Sequence, residues 1–533
     1  MGGWFKRHKI LTGFALFILL GWAFMAWRMW GPYRGYEVDF IETGNAEEAD
    51  TGFQVGVAKR DITPDLSKYD TWTDANNDAK FREKDGDTWQ DRNGNGKMDL
   101  VWMGGFSNNR PAKGVNDPLW ARAIAVRNNG VTVVMVAIDS VGMTHHRFIP
   151  VRKAVNPSLN IDHIILATTH SHEAPDTMGI WSYKIYPPLF DTAYMAFIQE
   201  QARAAIEEAV GALRPAEMIL QEKTVEANGW VRDSRKPLVY DHKVCMARFV
   251  ERGTDITIAT LVSWGNHPES MGSDNSFLSS DYPHYFRQGV EKGVAEPNGA
   301  TGLGGTCVFF SGPLGGLMNP LHIPYTHRDG TTVVEKNGIE KAEILGANLA
   351  LLTINALREE GLERESSPHV AVAARTVYTP INGLFTVPIV LGLLHPGYFW
   401  GKAKTEVNMV RIGGLEILTI PGEIYPEIVD GGVESPEGAD FGGAPLEVPP
   451  LRSVMKGKVN MVFNLANDEI GYIVPKSQWD TKPPFTYGED DAPYGEENSG
   501  GFNVAPSLHG EAIKLMADFH EALGEPDAIA RAE

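Results

Sequence analysis

Ile164-Ile165-Leu166-Ala167 is followed at once by Thr168-Thr169-His170-Ser171-His172. An apolar run this short, bounded by polar residues, reads as a buried strand, and the polar cluster as the turn at its carboxyl end. The same change recurs along the chain. Thr132 to Ile138 ends at Asp139, Ile256 to Val262 leads to Asn266-His267-Pro268, Leu415 to Ile420 leads to Pro421-Gly422-Glu423, and Met461 to Leu465 leads to Asn467-Asp468 and then Tyr472. Cys307 to Phe310 is another such run, and a strand signal begins at Phe53. Ala193 to Val210, Tyr282 to Val290, Ile339 to Leu357 and Leu508 to Leu523 carry the helical period instead. The alternation predicts an α/β body, layered, with a central mixed β-sheet flanked by helices. Ligands of such sheets collect outside the carboxyl ends of strands, so the polar residues there are the candidate site.

Composition agrees with a large folded core. Of 533 residues, 43% are hydrophobic, including 13 Trp and 23 Phe, which excludes a mainly disordered chain. The formal charge of −20 argues against a nucleic-acid partner, because phosphate binding needs a basic surface. Only Cys245 and Cys307 occur, so no disulfide framework supports the fold, although one bridge between them is allowed.

At the amino terminus Lys6, Arg7, His8 and Lys9 precede an uncharged, mostly apolar run from Ile10 to Trp27. That run is long enough to span a bilayer if Arg28 snorkels at its far end. A cleavable signal peptide competes, but Trp22, Phe24, Met25 and Trp27 crowd the end where a small-x-small site belongs. The organisation expected is a basic cytoplasmic tail (1–9), one transmembrane helix as anchor (10–30), a polar linker (31–51) and a large folded body (52–533). The positive-inside rule places that body in the periplasm or outside the cell.

Two histidines, a carboxylate and a further oxygen donor suit Zn²⁺, which takes mixed nitrogen and oxygen ligands and can hold a reactive water. His170 and His172 stand two apart and share a face if the segment is extended. By itself a His-x-His pair fits hydrogen-bonded structural histidines equally well; the shared placement of His170, His267 and Glu423 after strands raises the metal reading. Asp139 is open between a site residue and a structural hydrogen-bond acceptor, and the second is favoured.

Gly56-Val57-Ala58-Lys59-Arg60-Asp61-Ile62-Thr63-Pro64, Ala167 to Pro175, Trp264 to His267, Pro421-Gly422-Glu423 and Ala466 to Tyr472 follow one another as in the neutral/alkaline ceramidases, which the chain resembles over most of residues 53 to 525. The resemblance implies a zinc-dependent amidohydrolase, in a family acting on the amide of N-acyl sphingosine. It implies His170, His267, Glu423 and Tyr472 as zinc ligands, His172 lining the site, and Arg232 (alternatively Arg235) and Tyr494 as substrate-site residues. Two departures bear on specificity. Where the family has a serine in an Asn- and Gly-rich loop, this chain reads Ser311 to Pro320 with Met318 or Asn319 near that position, and no room remains for the family's final β-sandwich domain. The function expected is a membrane-anchored hydrolase cleaving an N-acyl lipid or related small molecule through a zinc-activated water. The alternatives are a non-catalytic, membrane-tethered receptor for a lipid or glycan, and a zinc esterase or peptidase.

The Asp- and Asn-rich insertion 70–100 has calcium-loop spacing. Asp91, Asn93, Asn95 and Asp99, with Gly96 for the turn, form the better match to a Ca²⁺ loop, and Asp74, Asn76, Asp78 and Asp85 the poorer. Trp102 occupies the twelfth position, where an EF-hand has its bidentate glutamate, so an isolated loop is expected.

Overall fold

The computed structural model describes residues 9–31, 33–44, 52–184, 190–391, 394, 397–399 and 401–525. The basic residues Lys6 to His8 lie outside them. The long strands are β1 (Asp39–Glu42), β2 (Gln54–Asp61), β3 (Trp120–Asn128), β4 (Val131–Ile138), β5 (His163–Thr168), β6 (Arg214–Thr224), β7 (Lys243–Glu251), β8 (Thr257–Trp264), β9 (Thr306–Ser311), β10 (Val370–Pro380), β11 (Lys402–Ile412), β12 (Leu415–Thr419) and β13 (Val459–Phe463). The helices used below are α1 (Lys9–Trp30), α2 (His145–Ala154), α3 (Thr192–Gly211), α4 (Tyr282–Lys292), α5 (Ile339–Ala356), α6 (Thr386–Leu391) and α7 (Val504–Ala522).

The fold is mixed α/β, as its sequence pattern predicts. A nine-stranded sheet runs in the order β9-β8-β7-β6-β2-β3-β4-β5, with Arg364–Glu365 added against β6. A second, six-stranded sheet, ordered β1-β10-β11-β12-β13 with Tyr398–Phe399 added, packs on its inner face. The period of two decides which side chains meet there. In β4, Val131, Val133, Met135 and Ala137 face the core between the sheets, where Val459, Met461 and Phe463 of β13 meet them. Val134, Val136 and Ile138 point the other way, under α2 and α3. Helices α4 and α5 cover the β7–β9 end, and α7 the outer face of the smaller sheet. Cys245 and Cys307 are both buried and free.

Among the long strands three pairs are parallel, β4 with β5, β8 with β9, and β12 with β13, and the short segments Glu423–Ile424 and Tyr472–Ile473 pair in parallel beyond them. Their carboxyl ends are tied together by backbone hydrogen bonds. Thr168 N donates to Leu465 O (3.1 Å), Asn467 N to Leu166 O (2.6 Å) and Asn464 N to Ser311 O (2.9 Å). The rings of Phe310 and Phe463 stack across the sheets at 4.0 Å. Segments far apart in sequence are thereby drawn to one point.

Asp139 has a structural position. Wholly buried, its carboxylate accepts both Arg287 guanidinium nitrogens at 2.8 Å, Ser280 Oγ and the Trp120 amide. Within the stretch read as a linker, β1 pairs with the edge of β10. Helix α1 is long and apolar enough to cross a membrane. Among its described residues, Ala26 and Met29 near its end are the buried ones. The acidic insertion carries a short hairpin, Thr71–Thr73 against Thr88–Gln90, over an apolar cluster of Trp72, Phe81, Leu100 and Trp102. Asn93 and Asn95 both donate to Asp99 Oδ2 (3.2 and 2.6 Å), and Asp91 accepts the amides of Gly94, Asn95 and Gly96.

Candidate metal centre

His170 sits just past β5 with φ +65°, a left-handed conformation uncommon for a side chain of this size. Asn467 and Leu465, just past β13, share it at φ +64° and +50°. The strand-to-strand bonds above hold these turns, and they aim His170 inward instead of letting the strand continue.

The imidazole of His170 donates from Nδ1 to the Val141 carbonyl (2.5 Å), and that of His267 from Nδ1 to the Met318 carbonyl (2.6 Å). A carbonyl can only accept, so both Nδ1 atoms carry the proton and both Nε2 lone pairs are left for a ligand. Those Nε2 atoms point at one carboxylate oxygen. Glu423 Oε2 lies 3.0 Å from His267 Nε2 and 3.4 Å from His170 Nε2, while Tyr472 OH is 3.5 Å from His267 Nε2. His172 Nε2 stands 3.2 Å from His170 Nε2, with its Nδ1 3.1 Å from Glu269 Oε2. The ligand atoms of His170, His172 and His267 fall within 4.8 Å of one another. Tetrahedral bonds of about 2.0–2.2 Å separate ligand atoms by roughly 3.3–3.6 Å, so this donor set fits a small divalent ion. Three imidazoles with a carboxylate and a phenol are a borderline nitrogen and oxygen set of the kind that suits zinc.

The electrostatics agree with a cation at this point. Burial opposes a charge on His170, but the adjacent Glu423 outweighs it and lifts the imidazole to about 9. The two neighbouring histidines together hold Glu423 far below the usual carboxylate range against its burial. Burial and the charge of His170 keep His172 neutral, well below its ordinary value. Without a metal, the site attracts a proton where the metal would sit.

Around the ligand atoms is a cavity of about 240 Å³, lined by His170, His172, Glu423, Tyr472 and Tyr494, with Phe385, Leu394 and Tyr398 also in its wall. Tyr494 stands half-exposed with its ring 6.0 Å from that of Tyr472. Arg232 is exposed on a two-residue strand that pairs Asp233 with Met318 and Arg232 with Asn319, one register position from the carbonyl that orients His267. Arg235 is buried elsewhere, donating to Glu496 (2.6 Å). The motif reading overlooked Glu469, Glu269 and Arg110. Glu469 lines the cavity, with Oε1 accepting the Gly471 amide (2.8 Å). Arg110 donates to the carbonyls of His172 and Gly104 and to Glu173 (3.1 Å). Glu469 lies inside the quoted Asn467 to Tyr472 motif and could have been weighed there; Arg110 carries no local signal, as an isolated arginine in a loop.

The fold and donor set thus define a mixed α/β protein with a candidate buried metal centre at its strand ends. No protein-family model and no curated protein matches the sequence. Among solved structures, the neutral ceramidase from Pseudomonas aeruginosa matches with a TM-score of 0.61 and 17% identity, over 89% of this chain and 75% of that one. A structure described as ceramidase complexed with C2 matches with a TM-score of 0.58 and 15% identity, over 89% and 76%. The fold is ceramidase-like.

Proposed function

We propose that the protein is a membrane-anchored, zinc-dependent amidohydrolase that cleaves an N-acyl lipid, its body held outside the cytoplasm by α1. The observation that carries this reading is the convergence of His170 Nε2, His267 Nε2, Glu423 Oε2 and Tyr472 OH at neighbouring distances of 3.0–3.5 Å. These four residues would hold Zn²⁺. When bound, the ion supplies Lewis acidity, lowering the pKa of water and polarising a carbonyl. His172, kept neutral by its burial and by the charge of His170, would take and return a proton. The Tyr494 hydroxyl at the cavity wall donates to the substrate carbonyl oxygen, and Arg232 contacts the substrate from outside. The ceramidase structures with the same fold favour a lipid amide as substrate. The insertion loop Asp91 to Asp99 takes a structural Ca²⁺ in this reading.

The test is metal content together with hydrolysis of a panel of N-acyl amides and esters by the purified full-length protein. About one zinc per chain is expected, with amide hydrolysis lost on chelation and restored by Zn²⁺. Stoichiometric zinc in a His170→Ala, His267→Ala double variant overturns the ligand set. Faster ester than amide turnover points to an esterase, and zinc without turnover to a receptor.

A further inference from the structure

One wall of the metal cavity adjoins the place where α1 meets the body. Phe385 and Leu394 line the cavity, and α6 lies between them in the chain. Helix α6 and its flank pack on the end of α1, where Arg28 Nε donates to Val390 O (3.4 Å) and Gly397 N to Met29 O (3.0 Å). The other side of this segment is open, with Leu384, Val387 and Leu391 exposed by 77%, 61% and 52%. From Ile381 to Leu394 there is no charged residue, in a chain whose formal charge is −20.

Depth along α1 says what covers this face. Ile10 to Met29 rises roughly 28 Å, close to the thickness of about 30 Å of a bilayer's hydrocarbon core. Met29 therefore reaches the far boundary of the membrane, and Trp27, Trp30 and Arg34 stand at the level where aromatic and basic residues mark the interface. A segment bonded to Arg28 and Met29 lies at that same level. An aqueous surface would leave three large apolar side chains in water beside the cavity, whereas the boundary of the bilayer covers them.

We infer that Leu384, Val387 and Leu391 form a lip seated in the outer boundary of the membrane that α1 spans, so that the metal cavity opens onto lipid and takes its substrate laterally from the bilayer. This rests on the proposed function for the anchor and deepens it by giving the substrate's route. The lip acts in positioning and has no part in the chemistry.

The experiment uses the full-length protein in phosphatidylcholine vesicles, with a polarity-sensitive fluorophore on Leu384→Cys, Val387→Cys or Leu391→Cys. Cys245 and Cys307 are buried and do not compete for label. Blue-shifted emission, quenched at least twofold by lipids with a nitroxide near the headgroup, is expected at all three. Val333→Cys, 52% exposed on a separate two-residue strand, should stay water-like. Water-like emission at the lip overturns the inference, and so does a blue shift without lipid quenching, which would mean that a second copy or another protein covers the face. A Val387→Asp, Leu391→Asp variant should cleave a long-chain N-acyl amide in the vesicle at least tenfold more slowly, with a short-chain soluble amide unaffected; equal loss on both also overturns it. Quenching in a protein that cleaves no amide would sink the hydrolase reading and leave the lip standing.

Discussion

Gly105 has φ +101°, and a Cβ built on it would lie 2.4 Å from Cγ of His172. The backbone here requires glycine twice over, once for its conformation and once for the close approach of the ring. Gly105→Ala should therefore push His172 away from His170 and lower stability by about 1–3 kcal/mol. Turnover should fall at least tenfold, because proton transfer depends on sub-ångström placement. Thermal melts and steady-state kinetics on one N-acyl amide check both effects; unchanged turnover would remove His172 from the chemistry. The opposite side of this histidine is held just as firmly. Arg110 and Glu173, both fully buried, pair beneath it, and Arg110 also grips the His172 carbonyl. A histidine so enclosed has few rotamers left, as the proton-carrying role proposed for it requires.

Between elements, buried ion pairs fix the sheets and helices around the centre. Glu406 of β11 is completely buried, takes Arg152 of α2 at 2.6 and 2.8 Å, and bonds His163 of β5 at 3.0 Å. Burial alone would raise its pKa, but Arg152 overrides this and holds it well below the ordinary value. A carboxylate whose folded pKa is depressed contributes stability that is fully present above its unfolded value, about 4.3, and is lost as pH falls further toward the folded value. The native protein should thus hold its Tm as pH drops from 7 toward 5 at this group, then lose stability steeply below about 4.3. Glu406→Gln should lower stability at pH 7 by about 3–5 kcal/mol, seen as a lower Tm, because it breaks a buried pair, and should flatten that acid limb. A variant whose melting curve keeps the same acid slope would show that other carboxylates dominate. In the insertion, the four residues Asp91, Asn93, Asn95 and Asp99 already face one another. Millimolar Ca²⁺ is expected to raise the Tm, and Asp91→Ala to abolish that increase; a melt indifferent to calcium would mean a solvated loop closed by its own amides.

For the whole molecule, α1 as an anchor has a direct consequence. After carbonate washing the full chain should remain with the membrane, protease added from the body side should digest residues beyond 31, and removal of residues 1–30 should release a folded, soluble body. Release of the full chain by carbonate, or trimming of its amino terminus on export, would favour the signal-peptide reading. Much of the organisation is local and therefore legible in the sequence. Apolar runs ending in Thr168 to His172, Asn266-His267 or Pro421-Gly422-Glu423 disclose strands and their polar ends, because backbone periodicity and turn chemistry act over a few residues. The strands found begin or end within a residue or two of those runs, and the last helix starts at Val504, ahead of the apolar period at Leu508. Strands β1, β3, β6, β7, β10 and β11 do not show in the apolar runs. In β11, the polar Lys404, Glu406 and Asn408 face the interior and erase the alternation, since only tertiary partners such as Arg152 make their burial tolerable. The doubled sheet, the stitching of three parallel pairs and the meeting of His170 with Glu423 join residues hundreds of positions apart. So do the carbonyl partners Val141 and Met318, which orient the two imidazoles. Chain order carries no record of such contacts, because they exist only once both sheets have packed and the strained turns at His170 and Asn467 are held from outside.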